Sequence, residues 1–185
     1  MKDYDLEAIL DEMAANLKAR FFSQPSIDPN EEPVMIGIHT GGVWVAEALH
    51  QKMGLTLPLG TLNISFYRDD FTRIGMHPQV LPSNVSTNVE GRAIILVDDV
   101  LYTGRTIRAA INEIFDYGRP GSITLASLIE RDGRELPVQA DVVGLHMNLE
   151  PNQQVKLSGP SPLELSISGG VDESVEDGAV TGADK

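Results

Sequence analysis

Ala93-Ile94-Ile95-Leu96-Val97-Asp98-Asp99-Val100-Leu101-Tyr102-Thr103-Gly104-Arg105-Thr106 is the stretch that decides the architecture. Five apolar residues in succession, without polar alternation, form the pattern of a strand covered on both faces, as in a parallel sheet. Two adjacent carboxylates follow, then a hydroxyl-bearing loop with one glycine, then a helix predicted over 106–117. In that helix Ile107, Ala110, Ile111, Ile114 and Phe115 form the core stripe. Gly118 stands where a C-cap is expected, and Pro120 follows it. Strand, glycine turn and helix in that order are the repeating unit of an α/β fold.

The same grammar recurs outward from this stretch. Val34-Met35-Ile36-Gly37-Ile38 is a second continuous apolar run, ending in His39-Thr40-Gly41-Gly42 and leading into a helix over 43–52. Residues 5–22 place Leu6, Ile9, Leu10, Met13 and Leu17 on one helical stripe. Further strands are predicted over 61–66, 123–129 and 141–145. Alternating strands and helices predict an α/β domain over 1–168 with a mainly parallel central sheet flanked by helices.

Two segments break the alternation. Residues 69–90, with Gly75, Pro78, Pro82 and no sustained period, are too long for an ordinary connection and are expected to form a mobile lid or an extended hairpin. Residues 169–185 carry five acids against Lys185 and almost no large apolar side chain, so an acidic, disordered tail is expected. The whole chain of 185 residues has a net charge of −13, of which four units fall on that tail and nine on the remainder. Such a balance disfavours nucleic acid, because phosphate neutralisation needs clustered Lys and Arg. The absence of cysteine removes disulfides, thiolate metal sites and cysteine nucleophiles. No run approaches a membrane span, and the acidic start, Met1-Lys2-Asp3-Tyr4-Asp5, is unlike a signal peptide. A cytoplasmic protein without membrane partners is the expectation.

The deciding stretch also carries chemistry. It places Asp98 and Asp99 at the carboxyl end of a parallel strand, the edge where open α/β sheets bind ligands. The loop beyond feeds a helix N-terminus, whose unpaired N–H groups and dipole favour an anion. Thr103 and Thr106 add hydroxyl donors, while the two aspartates can accept from a sugar diol or hold a hydrated cation. A ribose 5-phosphate satisfies both ends. Neither G-x-x-x-x-G-K-[ST] nor a G-x-G-x-x-G after a strand is present. A magnesium site of hydrolase type is the competing reading of the acid pair, and it lacks its other partners.

Residues 97–106 resemble the phosphoribosyl pyrophosphate (PRPP) motif of type I phosphoribosyltransferases. Ser65-Phe66-Tyr67-Arg68-Asp69-Asp70, Asp116-Tyr117-Gly118-Arg119-Pro120 and Arg134-Glu135-Leu136-Pro137 extend the resemblance to the PyrR family, bifunctional pyrimidine operon regulators and uracil phosphoribosyltransferases. It covers about residues 4–167. It implies a type I phosphoribosyltransferase fold with a lid and a small hood, and conversion of uracil and PRPP to UMP and pyrophosphate. By the same resemblance, Asp98 and Asp99 hold the ribose hydroxyls and a Mg²⁺ ion, mainly through water and PRPP. Leu101, Tyr102, Thr103, Gly104, Arg105 and Thr106 cradle the 5-phosphate. His39, Thr40, Gly41 and Gly42 receive pyrophosphate, and Arg68 brings positive charge to that leaving group. Leu128, Ile129 and Arg131 are the candidate uracil contacts, largely through backbone groups. A homo-oligomer is implied as well. Trp44 reads as a packing or interface residue, and His146, alone beside the last strand, offers little support for a metal role.

Two departures from the family pattern matter. Regulatory relatives typically read Lys-Thr-Arg-Gly in the pyrophosphate loop, where this chain has His39-Thr40-Gly41-Gly42. Their Arg-Gly-His-Arg is here Arg131-Asp132-Gly133-Arg134. Each change removes positive charge. An enzyme is therefore the leading expectation. The alternative is a UMP-sensing, RNA-binding regulator of pyrimidine genes with little or no catalysis, and RNA stays open as the disfavoured partner.

Overall fold

The computed structural model describes residues 4–22, 32–64, 82–150 and 152–169. In chain order the elements are α1 (Leu6–Phe21), β1 (Val34–Ile38), α2 (Gly41–Met53), β2 (Gly60–Leu62), β3 (Ala93–Leu101), α3 (Arg105–Tyr117), β4 (Ser122–Arg131), β5 (Val142–Met147), β6 (Gln154–Ser158) and β7 (Glu164–Ser168). The helices start and stop where local chemistry dictates. Asp5 caps α1, its Oδ1 accepting from the Ala8 N–H at 3.0 Å. Gly54, at φ 71°, ends α2 in the left-handed conformation, its N–H donating to His50 and Gln51 carbonyls.

Strands β1 to β5 form one parallel sheet in the order β2-β1-β3-β4-β5. Met35, Ile95, Val97 and Leu128 pack with α1 and α2, whereas Ile36, Ile38, Ile94 and Leu96 pack with α3. Successive residues of a strand face opposite sides, so continuous apolar runs are what a doubly covered sheet requires. The connection from β1 leads outward to β2, and that from β3 leads the other way to β4. The carboxyl ends of β1 and β3 therefore diverge, which opens a crevice between them. Lys52 on α2 bridges Glu7 and Asp11 of α1, at 2.7 Å to Asp11.

Glu32 secures the entrance to β1. Its Oε1 accepts from the Thr56 N–H at 2.6 Å and the Leu57 N–H at 2.9 Å, and its Oε2 from the Thr56 hydroxyl at 2.7 Å. Burial pushes this carboxyl up, but those hydrogen bonds and the nearby His50 outweigh burial and hold it below its ordinary value.

The sequence reading needs four corrections. β3 continues through Leu101, so Asp98 and Asp99 lie within the strand, and Asp98 is 1% exposed. The pairing of Asp98 with Ser127 and of Leu101 with Glu130 extends the ladder past the apolar run. Phe115, expected in the core stripe, is 53% exposed, while Ala109 is buried instead. The stripe of α3 is narrower than a five-residue reading because only part of the helix meets the sheet. The strand expected over 61–66 is β2, three residues long; Asn63 and Ile64 are outside it, and residues 65 and 66 lie outside the described residues. Finally, β6 and β7 form an antiparallel hairpin that periodicity did not announce. Leu157 is its buried anchor in the α1/α2 core, with Trp44 and Leu163 packed against the same cluster. Of the expected lid, residues 69–81 lie outside the described residues, as does the tail from 170 onward.

Candidate active site

The crevice between β1 and β3 is where the chemistry-bearing residues converge. The loop after β1 enters α2 at Gly41 and Gly42, both buried. A Cβ on Gly41 would lie 2.3 Å from Asp99 Oδ2. One on Gly42 would lie 2.8 Å from the Val97 carbonyl oxygen and 2.9 Å from Asp98 Cα. Only hydrogen in place of a side chain lets the start of α2 press against the acidic pair. Thr40 is exposed at the α2 N-cap and makes no side-chain capping bond, and the His39-Thr40 peptide is cis. The His39 N–H donates to the Leu62 carbonyl at 2.8 Å, so β1's end is tied to β2.

Asp98 and Asp99 point the strand in two directions, as alternation demands. Asp98 is buried, and its Oδ1 accepts from the Asp99 N–H at 3.1 Å. Asp99 is half-exposed, with its carboxylate against Gly41. Among the described residues no cluster of three or more His, Asp or Glu forms a metal cage. Two carboxylates do suit Mg²⁺, which keeps several waters and is commonly held by one or two carboxylates plus substrate phosphates.

The expected phosphate loop follows directly. The Leu101 N–H donates to Ser127 Oγ at 3.1 Å, and that hydroxyl donates to the Ile129 carbonyl at 2.7 Å, fastening the end of β3 to β4. Tyr102 is exposed and Thr103 buried. Gly104 caps α3 at φ 90°, a conformation that strains any side-chain-bearing residue. The Arg105 N–H donates to Thr103 Oγ1 at 3.3 Å, and Thr106 is half-buried in the first turn. The N-termini of α2 and α3 thus both open toward the acidic pair, and each helix offers backbone N–H groups to an anion.

At the expected base end, Leu128 and Ile129 are fully buried, backbone included: Ile129 pairs with Val100 on β3 and Leu145 on β5, and its carbonyl accepts from the Ser127 hydroxyl, so the structure does not present either residue to a ligand. Arg131 ends β4, with its guanidinium carbon 4.1 Å from the Tyr102 ring centroid. Glu130 pairs with Arg134 and, at 3.2 Å, with His146 on β5. Arg68 lies outside the described residues. Sequence reasoning passed over Ser127, and it noted Gly133, Glu135 and Leu136 only within stretches compared with the family, without a role at the site. Ser127 left one signal, a hydroxyl inside an otherwise apolar strand, which demands a hydrogen-bond partner. The other three act from a loop that carries no period.

Comparison with known proteins fits this geometry. The phosphoribosyl transferase domain family matches residues 4–161. A protein of Nitrosococcus oceani named "Bifunctional protein PyrR" is 61% identical over 165 residues, 88% of this chain and 91% of that protein. One of the same name from Pseudomonas fluorescens is 52% identical over 160 residues, covering 86% and 93%. Among solved structures, a hypoxanthine-guanine phosphoribosyltransferase of Bacillus anthracis superposes with TM-score 0.61 at 20% identity, covering 80% of each chain. A hypoxanthine phosphoribosyl transferase of Trypanosoma cruzi gives TM-score 0.62 at 17% identity, covering 80% and 83%. At such identities the structures establish the fold alone, that of type I phosphoribosyltransferases. The extent and identity of the sequence matches go further: the chain belongs to the PyrR family of phosphoribosyl transferase domain proteins.

Proposed function

We propose that the protein is a uracil phosphoribosyltransferase, converting uracil and PRPP to UMP and pyrophosphate. The observation that carries this reading is the convergence of the Gly41-Gly42 turn and the α3-capping loop on Asp98 and Asp99. One end of that arrangement accepts hydrogen bonds from a diol, and two helix N-termini receive anions. A sugar carrying one phosphate at each end matches it.

The mechanism follows from placement. Backbone N–H groups at the start of α3, with the Thr103 and Thr106 hydroxyls, anchor the 5-phosphate. Asp99, half-exposed beside Gly41, accepts from a ribose hydroxyl, while buried Asp98 fixes the backbone from which Asp99 projects. The pyrophosphate end lies against residues 39–42, where the absence of two side chains permits close approach of the backbone. As the bond from the anomeric carbon to pyrophosphate breaks, the bond to uracil N1 forms and the N1 proton passes to water or to the departing pyrophosphate. Positive charge develops on the ring, so carboxylates close to it stabilise the transition state more than the ground state. Asp98 and Asp99 are the residues that would hold Mg²⁺, and bound there it would neutralise charge on the leaving group. Arg68 and a closing lid over 69–90 complete the reading by supplying charge and excluding water. Arg131, at the end of β4, is the candidate left to receive uracil, since Leu128 and Ile129 lie wholly inside the sheet.

The test is to measure nucleotide formation from PRPP with uracil, hypoxanthine, guanine and orotate. UMP formation from uracil above all others is expected, and no product with uracil defeats the proposal. A UMP-sensing, RNA-binding regulator is the second reading, favoured by the name of the relatives. Filter binding of pyrimidine leader RNA at two salt concentrations separates the two. Tight, strongly salt-dependent binding with negligible turnover would replace the enzyme by the regulator.

A further inference from the structure

We infer that residues 131–138, the turn after β4, act as a strap that positions the 5-phosphate loop, and that the stacking of Arg131 on Tyr102 makes Arg131 a positioning residue for phosphate. This rests on the phosphate-loop part of the proposed function and is independent of which base is used.

Four contacts join strap to loop. The Thr103 carbonyl accepts from two strap N–H groups, Glu135 at 3.1 Å and Leu136 at 3.0 Å. A carbonyl engaged twice in this way cannot turn its negative end toward a bound phosphate, so the loop is held in an anion-accepting form. Gly104 lies under the strap, where a Cβ would be 3.3 Å from Leu136 Cβ and 3.4 Å from Val138 Cβ. Arg105 Nε donates to Glu135 Oε2 at 3.0 Å, which ties the first residue of α3 to the same segment. The fourth contact is the ring of Tyr102, flanked by the Arg131 guanidinium at 4.1 Å and by Gly133. Gly133 has φ 115°, and a Cβ there would fall 2.3 Å from Tyr102 Cε2, so the ring lies flush against the turn.

The contacts differ in kind. The Thr103 bonds are backbone bonds in a buried place and do not depend on side-chain choice. The Arg105 pair is half-exposed on both sides and contributes little. The Arg131 stack is different because Arg131 Nε is buried and has no hydrogen-bond partner among the described residues. Nothing at that atom fixes the guanidinium plane, which leaves the Tyr102 ring to do so. Arg131 is also the last residue of β4, at the end where the base is expected. The stack therefore joins the base end of the crevice to the phosphate end through two side chains.

The experiment is a double-mutant cycle read by the dissociation constant of ribose 5-phosphate, measured calorimetrically without any base present. Arg131→Ala is expected to weaken binding about fivefold, equivalent to about 1 kcal/mol at 1.4 kcal/mol per tenfold. In a Tyr102→Leu background the same substitution should change affinity by less than about 1.5-fold, because the partner ring is gone. In a Tyr102→Phe background the full effect should persist. A merely structural role for Arg131 would shift thermal stability alike in all three backgrounds and leave no such non-additivity. Equal effects with and without the ring, or no effect in the unmodified protein, overturn the inference. Failure of the unmodified protein to bind ribose 5-phosphate overturns it together with the phosphate-loop reading. Loss of uracil turnover with the cycle intact removes only the base assignment.

Discussion

Gly41 and Gly42 are adjacent, both buried at the start of α2, and alanine at each should fail in opposite ways. At Gly41 the added Cβ would meet Asp99 Oδ2 at 2.3 Å, where ordinary contact begins at 3.4 Å, so something must move by about 1.1 Å. The obstacles are the Asp99 carboxylate and its Cγ, which rotation can move, and Asp99 Cβ at 2.9 Å, which rotation cannot. Most of that overlap is with a side chain that can turn aside, so Gly41→Ala should cost less stability than Gly42→Ala, about 1 kcal/mol or less. Its cost falls on Asp99, which leaves its place. Loss of one charged hydrogen bond to a sugar hydroxyl is worth about 1.5–3 kcal/mol, or roughly a 10- to 150-fold fall in kcat/KM for PRPP. At Gly42 the overlap is smaller, 2.8 Å to the Val97 carbonyl oxygen and 2.9 Å to Asp98 Cα, but the obstacles are backbone inside β3. Overpacking of that kind costs about 1–3 kcal/mol, and at 2–4 °C per kcal/mol the melting temperature should fall by roughly 2–12 °C. Thermal melts of both variants beside a UMP-formation assay decide the matter. Gly41→Ala with kcat/KM within about threefold of the parent would show that the Asp99 carboxylate is not needed where it stands. Equal loss of stability in the two variants would show that the turn does not approach β3 as described.

Three further outcomes follow from the same structure. Asp98→Asn should cost about 1–2 kcal/mol of stability, because Asp98 is buried and accepts from the Asp99 N–H. Asp99→Asn should melt like the parent yet lose turnover, and a reversed ranking in urea denaturation would contradict the assigned roles. Glu32→Gln should destabilise by about 1–2 kcal/mol near neutral pH. Since Glu32 titrates below its ordinary 4.5 in the fold, that advantage is present above 4.5 and is lost as pH falls through the lowered value. Urea midpoints of the two proteins should therefore converge in acid, and a constant gap would refute the carboxylate's role. Phe115→Ser should change stability by less than about 0.5 kcal/mol despite its place in the sequence stripe, whereas Ile114→Ala should cost about 2–4 kcal/mol.

What could be read in the sequence was whatever burial imposes on composition. A strand covered on both faces cannot tolerate polar alternation, so β1 and β3 announced themselves by unbroken apolar runs, and α1 by its stripe. The acid pair was legible because polar residues at the end of such a run need a reason. The true extent of β3 was not, because Asp98 and Asp99 look like a strand's end, while the ladder to Ser127 and Ile129 carries the strand through them. Phe115 misled because periodicity reports which face a residue takes and not how far the sheet extends beneath it. The β6-β7 hairpin went unread because its residues alternate from exposed to half-buried, and only Leu157 is fully covered. The strap escaped for a deeper reason. Its hydrogen bonds to Thr103 are made by backbone N–H groups, which every non-proline residue possesses, so side-chain identity cannot reveal them.

The same distinction reinterprets the net charge of −13. Two cations near the site are committed to carboxylates, Arg105 to Glu135 and Arg134 to Glu130, while Arg131 stacks on Tyr102. A phosphate arriving at α3 consequently meets backbone N–H groups, threonine hydroxyls and a helix dipole. Those fields fall off within a turn, so they select an anion that enters the crevice and exert little pull on one passing across the surface. A long polyanion needs the reverse, unpaired cations spread over a face. An acidic protein can therefore bind a sugar phosphate without a cationic face. Gly41 belongs to the same economy of charge: having no side chain, it admits the Asp99 carboxylate to within contact of the α2 N-terminus.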